Sequence, residues 1–128
     1  MSLPPIDVAF LAERGLANEI HQDAGALCLV LPAWPLPAGY SAPSSDLLIR
    51  LMPGYPDVAP DMWWFSPPAL VPGRVIPGTD LTEGYLGRNW QRWSRHFQGG
   101  QWRSGVDGLE SYLALIAGDL ERWVPVPA

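Results

Sequence analysis

Apolar positions in this chain follow two periods, and the places where one gives way to the other outline its elements. From Ala26 to Leu31 every residue is apolar, the pattern of a strand covered on both faces. Asp46 to Met52 alternates, with Leu47, Ile49 and Leu51 on one face and Leu48, Arg50 and Met52 on the other, and Pro53 ends it. Leu16 to Gln22 suits a first strand before a turn at Gly25, and Met62 to Phe65 suits a fourth, aromatic strand stopped by Pro67-Pro68. A period near 3.6 marks two helices. The first is short, Ile6 to Arg14, with Ile6, Phe10 and Leu3 on one face, Pro4 and Pro5 at its start and Gly15 at its end. In the second, Leu109, Tyr112, Leu113, Ile116, Leu120 and Trp123 recur at helical spacing behind Asp107 and Glu110, which resemble a capping pair, and Pro125 and Pro127 close the chain. Pro32 to Pro43, carrying Trp34 and Tyr40, reads as loop, as does Ala69 to Tyr85 with its breakers Pro72, Gly73, Pro77 and Gly78. The sum is an α+β pattern, an antiparallel four-stranded meander flanked by helices, in one domain spanning residues 1–128.

Composition narrows the function classes. With 48% hydrophobic residues the chain can bury a sizeable core, and its fifteen prolines and thirteen glycines punctuate apolar segments without forming a repeat. No basic region precedes an apolar stretch at the start, and no apolar run approaches the ~18 residues of a membrane span. A cytoplasmic protein without membrane contact is expected. Cys28 is the single cysteine, which excludes an internal disulfide framework and a four-cysteine zinc site; it sits in the apolar strand and is read as a core residue. His21 and His96 are far apart in sequence, and no metal site is expected.

Charge changes the picture at one place. The segment from Gly87 to Gly105, GRNWQRWSRHFQGGQWRSG, holds Arg88, Arg92, Arg95 and Arg103, His96, three tryptophans and no acid, in a chain of formal net charge -5. Such a reversal suits a site for an anion or for developing negative charge. The structural alternative has the arginines stacked on tryptophans and paired with acids elsewhere. A nucleic-acid binder would use the same residue types, but a pI near 4.7 opposes it. All eight basic residues are arginine, and lysine is absent.

These residues carry a family resemblance. The string GYPDVAPDMWWF, Gly54 to Phe65, resembles the YP…P…F segment that bridges the third and fourth strands of ubiquitin-conjugating enzymes, and the predicted order of elements resembles theirs. In those enzymes the catalytic cysteine is followed eight residues later by a tryptophan, often after a glutamine; here Gln101-Trp102 follows Ser94 at that spacing. A histidine just beyond the nucleophile, as His96 is here, is a feature of the bacterial branch, and the chain resembles most closely the bacterial ubiquitin-conjugating-like family E. Two departures stand out. The His-Pro-Asn tripeptide that ordinarily precedes the nucleophile is absent, leaving Asn89 as the nearby asparagine, and the nucleophile position is serine. That serine is either natural or a replacement for cysteine that traps an ester; the resemblance favours a natural serine, since bacterial pathways of this kind include members working through serine esters.

The resemblance implies an acyl carrier. A ubiquitin-like protein's C-terminus would pass from an activating enzyme to Ser94 as an oxyester and then to a target protein, with no cofactor at this step because the activating enzyme consumes the ATP. A serine hydroxyl requires a positioned base, and imidazole is the side chain that exchanges protons near neutral pH. His96 reaches Ser94 if the segment between them is extended and diverges from it if helical. Arg95 and Arg92 are candidate donors to the oxyanion, with packing on Trp93 or Trp90 as the structural alternative. A chain carrying an activated acyl group would also benefit from having no lysine to intercept it; arginine-biased coding explains the same absence. The competing reading is a catalytically inactive scaffold that binds a ubiquitin-like protein or its activating enzyme, and the missing tripeptide and cysteine favour it.

Overall fold

A computed structural model describes residues 2–125, with helix α1 (Pro5–Glu13), strands β1 (Glu19–Asp23), β2 (Ala26–Pro35), β3 (Ser44–Leu51), β4 (Trp63–Ser66), β5 (Leu81–Tyr85) and β6 (Arg88–Trp93), and helix α2 (Leu109–Glu121). All strand pairings are antiparallel, in the order β1-β2-β3-β4-β6-β5. The expected meander is present as β1 to β4, but the sheet has six strands, because the hairpin β5–β6 adds to the free edge of β4.

The alternation in β3 assigns its faces as the sequence predicts, and β2 is covered on both faces. Leu27, Leu29 and Leu31 with Leu47, Ile49 and Leu51 meet Trp63, Phe65 and Trp93 on the side that α2 covers with Leu109, Tyr112, Leu113, Ile116 and Leu120. The opposite face buries Cys28, Val30, Leu48, Trp64 and Trp90, with Met62, Tyr85 and Leu86 packed against them. Burial on both faces is why β2 reads as an unbroken apolar run. β2 continues to Pro35 through a register shift between Leu31 and Trp34, so Trp34 is in strand and not loop. β1 starts at Glu19, three residues later than its sequence pattern suggests.

Both helices differ in detail from expectation, for one reason. Asp7 and Leu11 are the buried residues of α1, while Ile6 is 76% exposed. Asp7 is drawn inward because its carboxylate accepts from the Tyr55 hydroxyl at 2.6 Å and from the backbone N–H of Leu109 at 3.2 Å. An acid thus satisfies the first turn of α2 from another helix, where the orphan N–H groups and the dipole favour it. The N-cap of α2 is accordingly Gly108, whose carbonyl and N–H engage the Ser111 hydroxyl, and Asp107 instead accepts from the backbone N–H of Arg103 at 2.7 Å. Trp123 lies just past α2, and Pro127 lies outside the described residues.

Three buried tyrosines tie these elements together. Tyr40 donates to the Leu120 carbonyl at 2.6 Å, Tyr55 to Asp7, and Tyr112 to the Met62 carbonyl at 2.7 Å. Burial raises all three phenols above the ordinary 10.0, Tyr40 to about 12, with Asp119, Asp7 and Asp61 adding to the respective shifts. The folded state therefore holds these protons more tightly than the unfolded chain does. Their contribution is complete below the unfolded value and is lost as the pH rises above it. Urea unfolding should show stability unaffected by these groups up to about pH 10 and then falling by up to ~4 kcal/mol per pH unit with all three engaged. A flat profile through about pH 12 would contradict this account.

Candidate active site

Ser94 follows the last residue of β6, where the sheet gives way to the irregular segment leading to α2. Two backbone contacts fix it. Its N–H donates to the Gly78 carbonyl at 2.8 Å, and the carbonyl of the next residue, Arg95, accepts from the Met62 N–H at 3.0 Å. Gly78 has a positive φ of 76°, and a Cβ there would lie 2.8 Å from Arg95 Nη1 and 3.1 Å from the Ser94 carbonyl oxygen. Only glycine meets both demands.

The side chains divide between two surroundings. The partly buried Ser94 hydroxyl donates to Met62 Sδ at 3.6 Å. His96 is 58% exposed and its Nδ1 lies 2.6 Å from Asp61 Oδ1. An exposed pair of this kind adds little stability, but the carboxylate accepts from Nδ1–H and leaves Nε2 free to take a proton. His96 lines a cleft of ≈480 Å³ with Trp63, Arg95, Phe97, Tyr112 and Asp119, and Ser94 is absent from that lining. No hydrogen bond joins Ser94 to His96 among the described residues; they are neighbours along one short, backbone-pinned segment.

The arginines are largely engaged in structure. Arg95 donates through Nε to Asp119 at 2.7 Å and through Nη1 to the carbonyls of Pro77 and Ser94 at 2.9 and 3.0 Å, with its guanidinium 5.2 Å from the Trp93 ring centre. Arg92 pairs with Glu83 at 3.6 Å, and Arg88 pairs with Asp46 at 3.0 Å while lying 4.5 Å over Trp90. The local excess of positive charge in the sequence is thus offset in space by acids from β3, β5 and α2. Asn89 is exposed near the start of β6, roughly 16 Å up an extended strand from Ser94.

Trp102 fastens the segment from the other side. Its indole N–H donates to the Pro56 carbonyl at 2.8 Å, and its ring meets Tyr55, Phe97 and Tyr112 with centroids 6.3, 5.5 and 6.2 Å away. Ser104 adds a hydrogen bond to Asp57. The YP…P segment therefore acts as a wall for the segment after Ser94, while Tyr55 itself points to Asp7. Asp61 and Met62 are the residues that sequence reasoning missed. They lie 35 and 32 positions from their partners, and an acid in a proline-rich loop carries no local signal of its own.

No curated protein and no solved structure matches the chain. A family model for prokaryotic E2 family E does match, over residues 3–123, which take in α1, the whole sheet, the YP…P segment, Ser94, His96 and α2; the chain belongs to that family.

Proposed function

We propose that this chain is an acyl carrier in ubiquitin-like protein conjugation, with Ser94 as the acceptor, His96 as its base and Asp61 holding the imidazole. Membership of the family supports a conjugating role in general. The observation that carries the residue assignment is the His96–Asp61 pair at 2.6 Å, two positions beyond a serine whose backbone is held by Gly78. In the reaction the Ser94 oxygen bonds to the terminal carbonyl carbon of the ubiquitin-like protein, and the bond from that carbon to the activating enzyme breaks. The serine proton moves to His96 Nε2 and on to the leaving group. A nucleophile of the target protein then displaces Ser94. The first step requires the Ser94 hydroxyl to turn from Met62 towards His96. Arg95, which already donates to the Ser94 carbonyl, braces the backbone beside the developing charge.

The test is intact-mass analysis after incubation with ATP, an activating enzyme and a ubiquitin-like protein. An adduct mapping to Ser94 that resists thiol reductant and yields to hydroxylamine is expected. His96→Ala should slow its formation by about 10²-fold or more, and Asp61→Asn by a smaller factor, because the base survives but loses its orientation. Equal rates for His96→Ala and the native chain would remove the base assignment.

One observation favours a second reading, a scaffold that binds the ubiquitin-like protein or its activating enzyme without chemistry: Ser94 is bonded to Met62 and not to His96. That reading expects retained binding and no adduct.

A further inference from the structure

Met62 occupies an unusual position. It is a non-glycine residue with a positive φ of 64°, in the left-handed region that residues other than glycine rarely adopt. Its backbone is held in that conformation from both sides, since its N–H donates to the Arg95 carbonyl at 3.0 Å and its carbonyl accepts from Tyr112 at 2.7 Å. The consequence is that the thioether is aimed at the Ser94 hydroxyl, 3.6 Å away. Backbone strain of this kind persists only where the surroundings over-determine it, and here they direct one side chain at one hydroxyl.

Resting on the reading of Ser94 as acceptor, we propose that Met62 is a positioning residue that parks the Ser94 hydroxyl away from His96, and that its oxidation by a peroxide shuts the site. A thioether is a weak acceptor, so the serine leaves it readily. Peroxide transfers one oxygen to Sδ and departs as water, turning the thioether into a sulfoxide. The added oxygen is a strong acceptor at the place where the Ser94 proton rests, and it holds the hydroxyl there more tightly than the thioether does. His96 thereby loses access to the proton. Methionine sulfoxide is reducible, which makes the change reversible. Met52, 47% exposed at the end of β3, oxidises without touching the site and serves as an internal control.

The experiment uses glycylglycine benzyl thioester as a small acyl donor and reads acylation of Ser94 by mass spectrometry. It compares the native chain, Met62→Leu, Met62→Gln and peroxide-treated samples of the native and Met62→Leu chains. Leucine keeps the volume and removes the acceptor; glutamine supplies a stronger one. The expected order of rates is Leu, then Met, then Gln, in steps of about threefold. Peroxide should bring the native chain to the rate of Met62→Gln or below and leave Met62→Leu unchanged. A purely structural role for Met62 would instead slow both variants. A Met62→Leu rate at or below the native one, or equal slowing of both chains by peroxide, overturns the inference while leaving Ser94 as acceptor. No acyl group on Ser94 in any sample overturns the Ser94 reading and this inference with it.

Discussion

Ser94→Ala should abolish charging, with the adduct reduced by about 10³-fold or more relative to the native chain in the same mass-spectrometric assay. Cys28, the single thiol, is fully buried on the sheet face opposite α2. No lysine exists to receive the acyl group, so an amide by-product would have to form at the N-terminus. The substitution removes one hydroxyl whose hydrogen bond goes to a thioether, so the fold should lose no more than about 0.5 kcal/mol and unfolding does not explain the loss. Ser94→Cys supplies the complementary outcome. A thiolate is the better nucleophile, and its adduct should form readily but be released by thiol reductant, since it is a thioester. Undiminished charging of Ser94→Ala would dismiss the serine; charging of Ser94→Cys alone would make the native chain an inactive relative.

The largest effect on stability is expected at Asp7. Its carboxylate serves two donors from distant parts of the chain, the Tyr55 hydroxyl and the Leu109 N–H, and it is 3% exposed. Asp7→Ala leaves both donors buried and unpaired and removes negative charge from the start of α2. Leaving a buried donor unsatisfied costs about 1–3 kcal/mol, and loss of an N-terminal acceptor about 1 kcal/mol. A total near 3 kcal/mol is expected, lowering the thermal midpoint by about 10 °C. Tyr55→Phe removes one donor while Asp7 keeps the other, and should cost only about 1 kcal/mol. Thermal unfolding by circular dichroism separates the two. If Asp7→Ala were no worse than Tyr55→Phe, the contact to α2 would carry no weight. Because Tyr55 also contacts Trp102, the same variant should loosen the wall behind the segment that follows Ser94.

Where an element lies between two packed layers, its faces were legible. The unbroken apolar run at Ala26 is buried on both faces as expected, and the run at Asp46 has the faces its alternation predicts, because each alternate side chain meets a different core. The hairpin β5–β6 escaped this kind of reading. β5 is an edge strand with mostly exposed residues, and its sequence Leu-Thr-Glu-Gly-Tyr carries no apolar alternation. β6 looked like a charge cluster because its arginines project beside tryptophans and find their acids only across strands. The family was legible as well, through Gly54 to Phe65 and the eight-residue interval from Ser94 to Trp102, and the match over residues 3–123 bears it out.

The sequence by itself determined the α+β class, the two-sided burial of β2, the faces of β3, the stripe of α2 and the family, since each depends on periodicity or on spacing within a short stretch. The tertiary structure alone decided how many strands the sheet holds, that Asp7 serves the start of α2 from 102 positions away, and that Asp61 and Met62 flank the segment from Ser94 to His96. The physical reason is directional. A hydrophobic face needs only the right period to be buried, whereas a carboxylate or hydroxyl needs one partner atom at hydrogen-bond distance and angle, and that partner is set by the register between segments far apart in the chain.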